Sequence, residues 1–205
     1  MPHPVLDSPA PVLPTRPKPS GARRLTLAAL GVCVVTLLAA LATVLAQVNA
    51  ASAATASALS AEAGHIPEGT VVTLADDHVA AIARLDPALL AAMRQAQADA
   101  TAEGVPSFQV TSGWRSEAYQ RWLLEDAVER YGDEAIAGQF VATPDKSQHV
   151  TGEAVDIVPL DAQLWLMEHG ARYGICQTYA NERWHFALAT QPGGVCPAMK
   201  PDATS

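Results

Sequence analysis

Apolar residues change their spacing several times along the chain, and each change marks an element. Leu25 to Val48 is an unbroken run of 24 residues without a charge, long enough for one helix to cross a bilayer. Later, Leu89, Leu90 and Met93 recur at helical spacing. Asp86 can cap that segment, Pro87 suits its first turn and Gly104 stands where a C-cap glycine belongs, which predicts a helix from Pro87 to Glu103. Phe108 to Ser112 alternates apolar with polar residues, as a half-buried strand does, and Gly113 ends it. Between a capping Ser116 and Gly132, residues Tyr119, Trp122, Leu123, Ala127 and Tyr131 return to helical spacing, with Trp122 and Leu123 expected in the core. Ala154 to Val158 reads as a strand stopped by Pro159. Asp161 can cap a helix to His169 with Leu164, Trp165 and Met167 on its apolar face, and Trp184 to Ala189 is the last strand. Helices and short strands mix without a repeating strand-helix period, so the predicted class is α+β, with a small, mostly antiparallel sheet and flanking helices.

The segments around these elements set the organisation. Seven prolines in the first twenty positions and no apolar periodicity predict a disordered stretch over residues 1–24. Up to Ala50, the basic Arg16, Lys18, Arg23 and Arg24 against Asp7 give +3, leaving −11 of the total −8 for the remainder. Basic residues ahead of the apolar run place residues 1–24 in the cytoplasm, 25–48 in the membrane as a signal anchor, and the rest outside. A flexible Ala/Ser-rich stalk is expected over 49–65, a folded domain over 66–200 and a short tail over 201–205. A cleavable signal peptide is the competing reading, with Ala51-Ser52-Ala53 as one cleavage site, although its apolar core is ordinarily only about 7 to 15 residues. Either way the domain reaches the same side of the membrane. Its acidity argues against a nucleic-acid partner. Cys33 falls in the apolar run, so Cys176 and Cys196 are the pair free to form a disulfide outside the cytoplasm, around a loop containing Glu182 and His185.

Candidate chemistry gathers in Ser147-Gln148-His149-Val150-Thr151-Gly152-Glu153-Ala154-Val155-Asp156 and in Glu182-Arg183-Trp184-His185. His149, Asp156 and His185 can each give a nitrogen or carboxylate oxygen to a divalent metal, and no nearby cysteine suggests a fourth ligand. A set of this kind leaves a position open for water, as catalytic zinc sites do. Positions seven apart on a regular strand face opposite ways, so His149 and Asp156 need a turn between them, for which Thr151-Gly152 is suited. Asp156 stands among strand-forming apolar residues, where a carboxylate is costly unless a cation compensates. Partial burial beside Trp184 can raise Glu182 toward the neutral range that a general base requires. Singly, each is an ordinary histidine, turn aspartate or surface glutamate; together they describe a hydrolytic metal site.

Ser112-Gly113-Trp114-Arg115-Ser116, Gln120, Ser147-Gln148-His149 with Gly152, Ala154 and Asp156, and Glu182-Arg183-Trp184-His185 resemble, in order, the motifs of VanY-type D-alanyl-D-alanine carboxypeptidases. These are zinc peptidases of bacterial peptidoglycan stem peptides. The resemblance implies that His149, Asp156 and His185 bind Zn²⁺. It implies further that Glu182 carries the proton from water to the leaving amine, that Arg115 stabilises the oxyanion, and that Gln120 and Ser147 hold the terminal D-Ala. Val150, Glu153 and Arg183 depart from the family's more frequent residues without removing a ligand or the base. Two alternatives stand beside this reading: a non-catalytic zinc-stabilised wall-binding or ligand-binding module, and a related dipeptidase or endopeptidase. Glu182 and Arg115 together favour an enzyme, since a binding module needs neither.

Overall fold

The computed structural model describes residues 21–205, with side chains from Thr36 onward. The disordered segment expected over 1–24 lies, for residues 1–20, outside the described residues. The chain divides into two compact units, one up to Ala50 and one from Ala51. Helix α1, Gly21–Ala58, is the described part of the first unit and continues into the second. Its stretch Thr36–Ala58 is long and apolar enough to cross a membrane. Most of the segment expected as a flexible stalk is thus helical, because alanine has the highest intrinsic helix propensity and serine tolerates a helix.

The second unit adds α2 (Ala80–Ala83), α3 (Pro87–Ala102), β1 (Gln109–Ser112), α4 (Glu117–Tyr131) and α5 (Glu134–Gly138). There follow α6 (Gln148–Thr151), β2 (Ala154–Val158), α7 (Leu160–His169), β3 (Ile175–Tyr179) and β4 (Glu182–Leu188). The strands form one antiparallel sheet in the order β1-β2-β4-β3. On one face, Val110, Val155, Ile157, Ile175 and Phe186 pack against Leu89, Met93, Ala96 and Ala100 of α3 and Trp165 and Leu166 of α7. This is the hydrophobic core. The opposite face of the two central strands carries Asp156 and His185.

Local signals account for several boundaries. The carboxylate of Asp86 accepts from the amides of Ala88 and Leu89 at 2.8 and 3.0 Å, capping α3. Ser116 Oγ accepts from Tyr119 N at 3.1 Å to start α4, and Gly132 closes it in the left-handed conformation.

Other expectations are corrected by packing. Asp161 lies inside the first turn of α7, whose N-cap is Pro159 with no side-chain cap bond. Leu164 and Met167 are exposed, because the buried stripe of α7 is Ala162, Gln163, Trp165 and Leu166. Trp122 and Leu123 are only half-buried, and the buried residues of α4 are Gln120 and Ala127. Strand β4 begins two residues before the expected Trp184 and pairs with β3, which the apolar pattern had not marked. The expected tail 201–205 belongs to the domain, since Ala203 is buried.

Candidate metal and catalytic site

Sheet register brings the site together. Antiparallel pairing sets Asp156 of β2 opposite His185 of β4 on one side and Ser112 of β1 on the other. Side chains paired across strands share a face, so Asp156 and His185 project together. His149 reaches the same point from α6, a single turn closed by Gly152 at φ +77°. A Cβ there would sit 2.5 Å from the carbonyl oxygen of Arg84, so only glycine allows this turn to dock where Asp86 N donates to Gly152 O at 2.9 Å. The turn expected between His149 and Asp156 is thus present as a short helix.

Glu182 and His185 are three apart, which on a regular strand would send them to opposite faces. The pairing is irregular here: Gln177 opposes Phe186 while Tyr179 opposes Glu182, so two steps on β3 answer four on β4. Arg183 and Trp184 both stay exposed, and Glu182 returns to the buried side with His185. One cavity of about 100 Å³ is lined by Arg115, Gln120, Ser147, His149, Asp156, Glu182 and His185, so every residue singled out in the sequence meets there.

Ligand atoms of His149, Asp156 and His185 lie within 4.8 Å of one another, and this group can hold a metal ion. His149 Nδ1–H donates to the carbonyl oxygen of Gly113 at 2.8 Å, which leaves the Nε2 lone pair facing Asp156 Oδ1, 3.5 Å away. Ligands around a tetrahedral zinc with bonds of about 2.1 Å sit roughly 3.4 Å apart, so this pair matches without rearrangement. Asp156 Oδ1 and His185 Nδ1 are buried and have no hydrogen-bond partner, the condition of groups that lack a cation. Two imidazoles and a carboxylate, buried and partly orphaned, fit a divalent metal.

The charges are set by burial and neighbours. Burial alone would raise Asp156, but the contact with His149 and the guanidinium of Arg115 outweigh it and hold the carboxyl at about 2. Burial lowers His185 to about 3, which keeps its imidazole neutral and able to ligate. Burial, then the negative charge of Asp156, raises Glu182 to about 7, with Arg115 acting in the opposite direction.

Arg115 is heavily committed. Nε donates to Ser112 Oγ at 2.7 Å, Nη1 to Gln120 Oε1 at 3.0 Å and Nη2 to Asp156 Oδ2 at 3.2 Å. A guanidinium has five N–H donors, so some remain for a ligand in the cavity. Gln120 is fully buried and also donates from Nε2 to the carbonyl oxygen of Ala142 at 2.8 Å. Ser147 is buried at the head of α6 without a side-chain capping bond.

Phe140, Tyr179 and Ala203 also line the cavity and were missed in the sequence. Tyr179 had a usable signal, since Ile175 to Tyr179 follows Gly174 with strand-forming residues; Ala203 had none. Cys176 and Cys196 are disulfide-bonded, as the sequence allowed.

A family model described as VanY, D-alanyl-D-alanine carboxypeptidase, matches residues 82–190, a segment that contains every residue of the metal group, Arg115 and Glu182. The chain belongs to the VanY family. Membership makes a peptidase of peptidoglycan its coarse activity. A comparison with curated proteins finds no match. Among solved structures, the chain is similar to the vancomycin resistance D,D-pentapeptidase VanY of a VanB-type cassette with Zn(II), at 26% identity over 60% of this chain and 81% of that one, with a TM-score of 0.49. VanYB in complex with D-alanine-D-alanine gives 25% identity over 60% and 80%, with a TM-score of 0.49. The L,D-carboxypeptidase DacB of Streptococcus pneumonia gives 27% identity over 53% and 68%, with a TM-score of 0.44.

Proposed function

We propose that this VanY-family chain is a zinc-dependent D-alanyl-D-alanine carboxypeptidase that removes the terminal D-Ala of peptidoglycan stem peptides outside the cytoplasmic membrane. The observation that carries this reading is the buried carboxylate of Glu182 in the same cavity as a His149, Asp156 and His185 donor set. Held by these three residues, Zn²⁺ supplies Lewis acidity and makes a water nucleophilic near neutral pH.

The remaining work falls to the chain's own side chains. Glu182 takes a proton from the attacking water on a carboxylate oxygen and returns it to the nitrogen of the leaving amine. The free N–H groups of Arg115 face negative charge developing on the scissile carbonyl oxygen, and the bonds to Ser112, Gln120 and Asp156 fix the guanidinium in advance. Gln120, through its second amide hydrogen, and Ser147 hold the terminal residue. His149 Nδ1–H, tied to Gly113, keeps the imidazole in one tautomer and one orientation.

The test uses the full chain in detergent with a muramyl pentapeptide ending in D-Ala-D-Ala, products being followed by mass. Loss of one alanine that stops on chelation and returns with Zn²⁺ is the expected result. Release of a dipeptide or an internal cut would replace the specificity stated here. Bound zinc without cleavage would replace it with a binding module.

A further inference from the structure

Residues 196–203 lie beyond the 82–190 segment that matches the family, yet they reach the active-site cavity. Cys196 is disulfide-bonded to Cys176 of β3. Further on, Lys200 N donates to Thr178 O at 2.9 Å and Ala180 N donates to Lys200 O at 2.8 Å, so the segment runs parallel to the free edge of β3. Asp202 Oδ1 then accepts from Thr204 N at 2.9 Å and turns the chain inward. Ala203, only 6% exposed, lands on the cavity wall.

That contact has two consequences for the substrate. Ala203 N donates to the carbonyl oxygen of Gln139 at 3.3 Å, an oxygen that also accepts from Asn181 Nδ2 at 2.9 Å. Gln139 opens the segment whose Phe140, Val141 and Ala142 line the same cavity, and Ala142 O in turn holds Gln120 against Arg115. Ala203, Val141 and Ala142 therefore wall a space held at one end by the Ala203 N bond to Gln139 O and at the other by the Gln120 Nε2 bond to Ala142 O. A larger side chain at position 203 takes room from a ligand in this cavity and a smaller one gives room.

We propose that residues 196–203 are a strap that walls the substrate cavity, and that Ala203 is a specificity-determining residue restricting the terminal residue of the peptide to a small side chain. This inference rests on the peptidase reading above and concerns a part of the chain outside the family match.

The experiment uses the full-length, zinc-loaded chain in detergent and two pentapeptides that differ only in a terminal D-Ala or D-Leu. Ala203→Gly and Ala203→Val are compared with the native protein, with zinc content and melting temperature checked for each. One methyl group in a tight pocket is worth roughly tenfold or more in discrimination, so Ala203→Gly is expected to shift the kcat/KM ratio toward the D-Leu peptide by about that factor. Ala203→Val is expected to raise KM for the D-Ala peptide about tenfold while kcat changes little, a split that general loosening would not give. A ratio unchanged by Ala203→Gly, with KM unchanged by Ala203→Val, overturns the proposal. If the native chain turns over neither peptide, the peptidase reading fails and the strap is judged by binding. Titration of D-Ala-D-Ala and D-Ala-D-Leu dipeptides should then show the same shift in selectivity between native protein and Ala203→Gly, and equal selectivity in the two overturns it.

Discussion

Glu182 is the residue on which chemistry and stability diverge. Its carboxyl is held at about 7 against an ordinary 4.5 by burial and by Asp156, so the folded chain keeps a proton that the unfolded chain has already released. The folded state of the metal-free protein is therefore favoured below pH 4.5, and this contribution is lost as pH rises through about 7. Glu182→Gln carries no such proton. The metal-free variant should melt at a temperature less sensitive to pH between 4.5 and 7 than the metal-free native protein, and to be the more stable of the two above that interval. A difference in melting temperature that does not change with pH would exclude this account. In the zinc-loaded protein the same variant retains the metal group, and turnover should fall by at least about 10² to 10⁴, the usual contribution of a general base. Wild-type rates in Glu182→Gln would remove Glu182 from the mechanism.

Among the elements, what could be read from the sequence was what neighbouring residues decide among themselves. Asp86, Pro87 and Gly104 mark α3 almost to the residue, and Ala154 to Val158 is β2 as expected, because caps and alternation are local. Residue types and order likewise pointed to His149, Asp156 and His185, although no local rule could bring them face to face. That depends on partners. The pairing of Asp156 with His185 is a matter of register between strands distant in sequence, and the return of Glu182 to the site depends on an irregularity against β3, a strand the pattern had missed. The exposed faces of Leu164 and Met167 were misjudged for a related reason, since the stripe that α7 buries is chosen by the sheet beneath it. Helix α6 shows how tightly one element holds the site. Gly152→Ala places a Cβ 2.5 Å from Arg84 O at φ +77°, so the turn must shift and His149 with it. A loss of more than about 1 kcal/mol in stability is expected, together with weaker zinc binding in a competition titration. Unchanged zinc affinity would mean that α6 is not what aims His149.

At the scale of the molecule, the question is what the two units owe each other. The main packed cluster of the core runs from Val72 to Phe186, with Ala58 and Ala63 buried ahead of it. In α1, by contrast, Leu37, Leu38, Leu41, Val44, Leu45 and Val48 are all exposed, an uncovered apolar surface that water does not tolerate but a bilayer does. If α1 is a membrane anchor, folding of the domain and attachment should be separable by truncation. Removing residues 1–50 is expected to release the protein from the membrane fraction into buffer without detergent while leaving its melting temperature within a few degrees of the full chain's, since the buried residues from Ala58 onward are all kept. Reducing the Cys176–Cys196 bond in that same truncated protein should act on the domain itself. It frees a loop of sequence separation 20, worth about 3 kcal/mol on the chain-entropy estimate, and lowers the melting temperature by several degrees. The two perturbations read opposite ends of the molecule: a truncation that destabilised the domain would show that α1 is part of its fold, and a reduction without effect would show that the strap is held by β3 alone.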